Sequence, residues 1–320
     1  MEGGRQGGRI GTRAHDETCP GTARISSTSF YGPVALMAAR SPNSWTGYAP
    51  LDADAGVQFQ AAVSDIQEGL RRRRSWAYLA VENVKNRYRR TVLGPWWLTL
   101  QMLIFVTGIS IVFGQLLHTG LREFLPYVAI GYIVFMLLVG LTNAAAGVFV
   151  TGSSTLKSTR QPLSNLVLRD VGIEFIHFGH NMVIYLVFLV IGLVPLSPEI
   201  LLALPIVLVI AANGLFVGLW LGIAVARFRD LQPFISSILG VIIFFTPVFY
   251  HLNNLSSGLQ IFVLKWNPFT YLIEAFRAPL IGAPLLPFYY VGTAVVTLVN
   301  VAVGLVVFTR ARSRLPYWVA

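Results

Sequence analysis

The polar residues best suited to chemistry lie in one short stretch at the start of an apolar segment. Glu174 and His177 form a Glu-x-x-His pair, a spacing that places two metal ligands on one face of a helix. Their polar neighbours are Arg169, Asp170, His180 and Asn181. A di-metal site needs a second such pair and more carboxylates, which the apolar part of the chain does not supply. We therefore favour a polar stretch with internal ion pairs, and the lining of a hydrophilic substrate path stays open as another interpretation.

The elements that must position these residues are apolar runs, each near the length of a bilayer-spanning helix. Hydrophobic residues make up 55% of the 320 residues, charged residues make up 12%, and the mean hydropathy is +0.64, values that argue against a water-soluble domain. The predicted fold class is an all-α membrane protein with six transmembrane helices. We place these spans at Trp96–Leu117, Pro126–Val150, Leu166–Val194, Ile200–Ala226, Leu231–Tyr250 and Phe288–Phe308. A stripe of Gly214, Gly218 and Gly222 predicts close helix packing.

The distribution of charge predicts the orientation of these spans. Of the 24 Lys and Arg residues, 21 fall on one side, and only Arg122, Lys265 and Arg277 fall on the other. By the positive-inside rule both termini are cytoplasmic. We assign the net charge of +10 to contact with a membrane surface and not to nucleic acid, because the basic residues flank apolar spans.

The chain before the first span divides into two parts. Residues 1–75 are predicted to be a disordered cytoplasmic extension without a signal peptide, in which a helical piece near Val57 either contacts the membrane or is a solvated linker. Its Cys19 is the single cysteine, which excludes an intramolecular disulfide. Residues 76–95 are predicted to form an amphipathic interfacial helix that Gly94-Pro95 ends, with packing on a partner as the alternative. Its apolar face would hold Trp76, Ala80, Val84 and Tyr88.

The connection between the fifth and sixth spans is too long for a tight loop. We predict two short re-entrant helices, Gln260–Trp266 and Pro268–Leu280, hinged at Asn267-Pro268. Aromatic residues crowd in and around this connection, and they predict either a translocation path on which sugar rings slide or an ordinary interfacial belt. The proposed path residues are Phe245, Phe249, Tyr250, Trp266, Phe269 and Tyr271.

No phosphate-binding motif for ATP is present, because Lys85, Lys157 and Lys265 all follow an apolar residue and not glycine. An ATP-driven process would therefore need a separate subunit.

Four motifs in order resemble the membrane subunits of polysaccharide ABC exporters, the ABC-2 type permeases for O-antigen, teichoic acid and capsule. They are the RYRRTVLGPWW stretch at Arg87–Trp97, RFRDL at Arg227–Leu231, TPVFY at Thr246–Tyr250, and Asn267-Pro268 followed by Arg277. The resemblance covers about Trp76 to Arg314. It implies a six-helix domain at 96–314, a cytoplasmic tail at 315–320 and location in a bacterial inner membrane.

The resemblance also implies partners and roles. The chain would form a homodimer with two ABC ATPase subunits, which bind ATP and Mg, and would export a lipid-linked polysaccharide without a cofactor, metal or catalytic residue of its own. A cytoplasmic coupling helix would lie at Ser153–Asn165. Its ATPase-coupling residues would be Ser153, Ser154, Lys157, Ser158 and Arg160. Arg87, Tyr88, Arg89 and Arg90 would contact the ATPase or hold the substrate pyrophosphate. The Arg-rich composition resembles that of high-GC bacteria, in which a family relative exports cell-wall galactan.

Two other classes of function compete with this interpretation. A membrane-embedded glycosyl or phospho-sugar transferase would use Asp170, Glu174, His177 and His180 as catalytic groups, but the other spans supply almost no acidic residue to converge with them. An ion-coupled secondary transporter would show internal repeats and ionisable groups at mid-membrane, and neither is evident.

Overall fold

The computed structural model describes residues 54–159, 161–252, 256–258 and 267–319, and the regular elements in them are helices. The first half contains α1 (Ala55–Arg71), α2 (Arg73–Arg87), α3 (Trp96–Leu116), α4 (Leu121–Thr151), α5 (Ser153–Ser158) and α6 (Leu163–Val190). In the second half, a 3-10 turn at Pro198–Leu202 leads into α7 (Ala203–Arg227), and α8 (Leu231–Ile242) continues as a 3-10 turn to Phe245. The remaining helices are α9 (Pro268–Ile281), α10 (Pro287–Ala311) and α11 (Leu315–Trp318).

Five of these helices are long and apolar enough to cross a membrane. They are Trp96–Leu116, Leu121–Thr151, Leu163–Val190, Pro198–Arg227 and Pro287–Trp318, so five of the six predicted spans are confirmed as long helices. In the most apolar part of α4, 72% of the residues are buried, whereas in that of α10 only 17% are. Helix α4 is therefore central and α10 lies at the periphery.

The fifth predicted span, Leu231–Tyr250, is wrong as a single helix. The helical segment ends at Phe245 and is about 22 Å long at 1.5 Å per residue, short of the roughly 30 Å hydrocarbon core. It ends there because Thr246 precedes Pro247, whose ring disfavours helical backbone in the preceding residue, and Thr246 is extended with φ −113° and ψ 132°.

The chain nevertheless passes between the two ends of the bundle in this region. Asp65 of α1 contacts Arg312 after α10, and we call the end of the bundle that holds this pair the α1 end. Helices α7 and α10 run parallel, since Asn213 bonds Thr297 and Arg227 lies near Trp318. Because both helices finish at the α1 end, the chain must return to the opposite end between them.

The first half of α6 extends beyond the start of α3. The Thr99 hydroxyl, in the first turn of α3, donates to the carbonyl of His180. His180 lies about 25 Å from the start of α6, at 1.5 Å per residue, so the start of α3 lies beside the middle of α6. This first half packs on α1 and α2, where Gly172 lies against Trp76 and Ala80. The predicted apolar stripe of α2 is therefore real, but it covers protein.

Two predicted boundaries in this region are corrected. The interfacial helix was predicted to reach Gly94-Pro95, yet α2 ends at Arg87 and Tyr88 caps it, with turns following. The predicted disordered extension of residues 1–75 includes α1, which begins at Ala55 close to the expected Val57. The rest of that extension, residues 1–53, lies outside the described residues.

The glycine stripe of α7 packs as predicted. A Cβ added at Gly214, Gly218 or Gly222 would overlap side chains of α4 or α6, among them Leu141 and Val167. Small residues therefore bring three of the long helices into close contact, which gives the bundle its core.

Candidate functional site

A groove between α3, α4 and α6 brings the polar residues of α6 next to aromatic side chains. Its cavity measures about 460 Å³. We call it the polar–aromatic groove, and its defining residues are Gln101, Phe105, Tyr132, Glu174, His177 and Asn181.

The polar side of this groove is formed by Gln101, Glu174, His177 and Asn181. Nδ1 of His177 lies 3.5 Å from Oε2 of Glu174, one helical turn apart. Within the described part of the chain, Nε2 of His177 and Oδ1 of Asn181 are buried without a hydrogen-bond partner. The Glu174 carboxylate lies so close to Gly140 of α4 that a Cβ there would overlap it. Arg169 pairs with Asp170 at 2.7 Å, so the ion pairing predicted for this stretch is present between these two residues.

The aromatic side of the groove is formed by Phe105 and Tyr132, which belong to a series of four neighbouring rings. Phe105 and Tyr132 stack with centroids 4.6 Å apart, and Phe249 lies 5.8 Å from Tyr132 and 6.2 Å from Phe105. Phe113 continues the series at 6.0 Å from Phe249. Sequence reasoning identified Phe249 but missed the other three, which sit within ordinary apolar spans.

Of the other predicted path aromatics, Phe269 is linked to this series through Phe135, whose ring lies 6.4 Å from that of Tyr132. Tyr271 contacts Phe288 instead. Phe245 is 42% exposed at the end of the α8 segment, and the Tyr250 hydroxyl donates to the carbonyl of Phe244. Trp266 lies outside the described residues, as does the predicted helix Gln260–Trp266.

The non-helical segment after α8 is held by side chains from two other elements. The Tyr127 hydroxyl of α4 lies 3.3 Å from the carbonyl of Pro247 and 3.0 Å from that of Tyr250. The Asn267 amide donates to the Phe245 carbonyl at 2.9 Å and to the Thr246 hydroxyl at 2.7 Å. Buried backbone outside a helix needs such partners, so these contacts hold Phe249 against the groove.

Asn267 also begins α9. Its side-chain oxygen accepts from the backbone N–H of Phe269 at 3.0 Å, a helix N-cap, and Pro268 occupies the first turn. The predicted helix Pro268–Leu280 is therefore confirmed as a helix.

Arg277 of α9 completes this arrangement. It is fully buried, pairs with Glu274 one turn away, and donates to the Tyr127 hydroxyl at 2.7 Å. Its guanidinium carbon lies 3.6 Å from the centre of the Tyr127 ring, a cation–π contact. The sequence motifs around Thr246, Asn267 and Arg277, separate in the chain, thus form one cluster around Tyr127.

Of the residues proposed to couple to an ATPase, Ser153, Ser154 and Ser158 lie at the α1 end. The predicted coupling helix Ser153–Asn165 is helical only over Ser153–Ser158, because Thr159 is extended and Asn165 already belongs to α6. Ser154 and Ser158 are exposed. Arg160 and the side chain of Lys157 lie outside the described part.

The basic stretch after α2 is also at the surface. Arg87, Arg89 and Arg90 are exposed and Tyr88 is half-buried. Arg90 has a φ of 70°, an uncommon conformation for a residue with a side chain. Arg87 borders a separate cavity of about 290 Å³ between α2 and α6.

A buried ion pair that sequence reasoning missed joins three elements at this end. Asp65 accepts from the backbone N–H groups of Leu163 at 3.2 Å and Ser164 at 3.0 Å, so it caps the first turn of α6 from another helix. Arg312 donates to the same carboxylate at 2.9 Å. Burial raises the pKa of Asp65, while Arg312 and the Ser164 donors oppose the shift.

Among the described residues no group of three or more His, Cys, Asp or Glu side chains is placed to hold a metal. Glu174 and His177 contact each other, and no third such ligand adjoins them in the described part of the chain.

The sequence was compared with protein families and with known proteins. Residues 74–281 match the family model of the ABC-2 type transporter. Two Klebsiella pneumoniae proteins, each described as "O-antigen export system permease protein RfbA", are 23% identical over 238 residues. Each alignment covers 73% of this chain and 90% of the relative. The groove and the Tyr127 cluster fall within the matched range, whereas Asp65 and Arg312 fall outside it.

Proposed function

We propose, because the chain belongs to the ABC-2 type transporter family, that it is the permease through which an ATP-driven exporter moves a lipid-linked polysaccharide. As a member of this family it is a multi-pass membrane protein and a transport subunit, not itself a catalyst, and such permeases pair with ATPase subunits. The relatives named for O-antigen export support a polysaccharide as cargo. Galactan as the cargo stays a prediction that rests on the resemblance to a family relative in high-GC bacteria.

The polar–aromatic groove is the observation that carries this proposal. Sugars combine hydroxyl groups with apolar ring faces, and the groove sets acceptors from Glu174 and Asn181 beside the aromatic pair Phe105 and Tyr132. A volume of about 460 Å³ lies in the range of small-molecule sites.

A homodimer would close the open side of this groove. Phe105 is 40% exposed. In the most apolar part of α3, only 22% of the residues are buried within the protomer. One copy therefore lines only part of a conduit, and a second copy related by a two-fold axis would complete it.

The α1 end fits the cytoplasmic, ATPase-facing side. The exposed helix α5 connects α4 to α6, so an ATPase that contacts Ser154 and Ser158 would act on both helices. Two ATPase copies holding ATP and Mg would serve the dimer. The exposed Arg87, Arg89 and Arg90 would lie at the inner membrane surface, where they can bind a lipid pyrophosphate.

The return of the chain between Arg227 and Pro287 supports a sixth crossing made of unlike parts. Helix α8 would enter from the cytoplasmic side, and the segment held by Tyr127 and Asn267 would continue it. Helix α9 would then be the re-entrant element, buried in protein as such elements require. Both termini would lie in the cytoplasm.

Copurification and reconstituted export test this proposal together. A tagged full-length chain extracted in mild detergent should bring down an ABC ATPase, and proteoliposomes containing the complex should translocate lipid-linked glycan only with ATP and Mg. Absence of the ATPase, together with glycan transport that proceeds without ATP, would overturn the proposal.

A further inference from the structure

We propose that the polar side of the groove is a subsite for the hydroxyl groups of neutral sugar residues, and that Glu174 disfavours acidic ones. The inference rests on the proposed export function and deepens it, because it names the chemical class of sugar that the path accepts.

The hydrogen-bonding character of the subsite carries the first half of this inference. Asn181 lines the groove and is only 8% exposed. Its Oδ1 has no hydrogen-bond partner among the described residues. His177 and Gln101 border the same cavity, and both side chains can exchange hydrogen bonds with hydroxyl groups. The Glu174 carboxylate in this lining accepts hydrogen bonds, so a ligand that contacts it is favoured when it brings donors. Sugar hydroxyls donate, whereas phosphate and carboxylate anions carry no donor.

The charge of the lining carries the second half. Among the described residues that border the cavity, Glu174 is the only acidic one and none is Lys or Arg. An anionic sugar would therefore meet a carboxylate without a Lys or Arg beside it, and the two negative charges would repel each other.

The basic groups suited to an anion lie elsewhere. Arg87 borders the other cavity, which it shares with Asn83, Val84 and Ile173. The structure thus separates a site able to bind the pyrophosphate head of a lipid-linked substrate from a site able to bind its sugars.

The aromatic rings give the subsite its second contact surface. The Phe105–Tyr132 stack borders the same cavity, and apolar ring faces make contacts without fixed directions. Such a surface suits a moving chain, because a transit site must bind weakly enough to release each residue.

Cysteine protection tests the inference directly, since the chain has a single native cysteine. In a Cys19→Ser background, Met136→Cys places a thiol in the groove lining, and Gln115→Cys places a control thiol in a different cavity. The probes are linear neutral hexasaccharides of glucose, galactose and mannose, each with a counterpart oxidised at C6 to the uronic acid. The rate of thiol alkylation in the purified full-length chain is the readout.

We expect at least one neutral probe to slow alkylation at position 136 with millimolar half-protection, and its acidic counterpart to need about tenfold more or to fail. Neither should protect position 115. In Glu174→Gln, the concentrations of neutral and acidic probe that give half-protection should differ by no more than about threefold. In Asn181→Leu, the concentration of neutral probe needed for half-protection should rise about tenfold. Asn143→Leu is the matched control, an α4 amide that bonds Ser236 outside this cavity.

Two results would overturn the inference: no protection by any neutral probe, or equal protection by acidic probes with Glu174 intact. Failure of the subsite can be distinguished from failure of the export proposal. A chain that copurifies with an ATPase and exports glycan but shows no protection refutes only the subsite, whereas sugar protection in a chain that binds no ATPase refutes only the exporter.

Discussion

Removal of the Tyr127 hydroxyl probes the cluster that holds the non-helical segment after α8. In Tyr127→Phe the ring and its contact with Arg277 stay, but a buried guanidinium N–H loses its acceptor and two backbone carbonyls lose their donor. A buried polar group left unpaired costs about 1–3 kcal/mol, and more when it is charged. Since the two carbonyls share one donor, we expect a loss of about 2–4 kcal/mol in the free energy of unfolding.

Tyr185→Phe is the matched control, because its hydroxyl is also buried and donates to an α9 carbonyl, that of Leu280, but through a single contact of 3.4 Å. We expect about 1 kcal/mol or less for this change. Thermal unfolding in detergent measures both variants. At a few degrees per kcal/mol, the unfolding midpoint of Tyr127→Phe should lie roughly 5–10 °C below that of the wild type. It should also reduce glycan export, because Phe249 depends on the same segment. Equal midpoints for the two variants would refute the reasoning.

Three further perturbations follow from the packing. Asp65→Asn leaves the buried Arg312 without its carboxylate and should cost about 3–5 kcal/mol in unfolding experiments, and the double variant with Arg312→Met should recover part of that loss; a single variant as stable as wild type would contradict the buried pair. Gly218→Ala should lower the free energy of unfolding by about 1–3 kcal/mol, while Gly108→Ala, whose added Cβ meets no described atom within 4 Å, should change it by about 0.5 kcal/mol or less. Equal thermal midpoints for the two variants would contradict the close packing at Gly218. Ser154→Trp should lower the amount of ATPase recovered with the tagged chain without changing its thermal midpoint, and unchanged recovery would place the docking surface elsewhere.

The spans could be predicted because their signal is local. A run such as Trp96–Leu117 is recognisable from its length and apolar composition alone, and the helix found there differs by a single residue. The α9 helix was predictable for a similar reason, since Asn267-Pro268 is a sequence signal for a helix start.

The partners of these elements could not be predicted because they depend on tertiary contacts. Asp65 and Arg312 lie 247 positions apart, and nothing near either residue indicates the other. The stripe of Trp76 and Ala80 predicts a buried face, but only the fold shows that Gly172 covers it. The end of the fifth span was missed because apolar residues continue beyond it, and the effect of Pro247 on the preceding residue was outweighed by hydropathy.

The cap that Asp65 places on α6 has a mechanical consequence. The first turn of α6 directly follows the short link from α5, and its N–H groups are bound to a carboxylate that also holds the C-terminal end of α10. A push on α5 would therefore be transmitted to α1, α6 and α10 together, because fraying of that turn would break its bonds to Asp65.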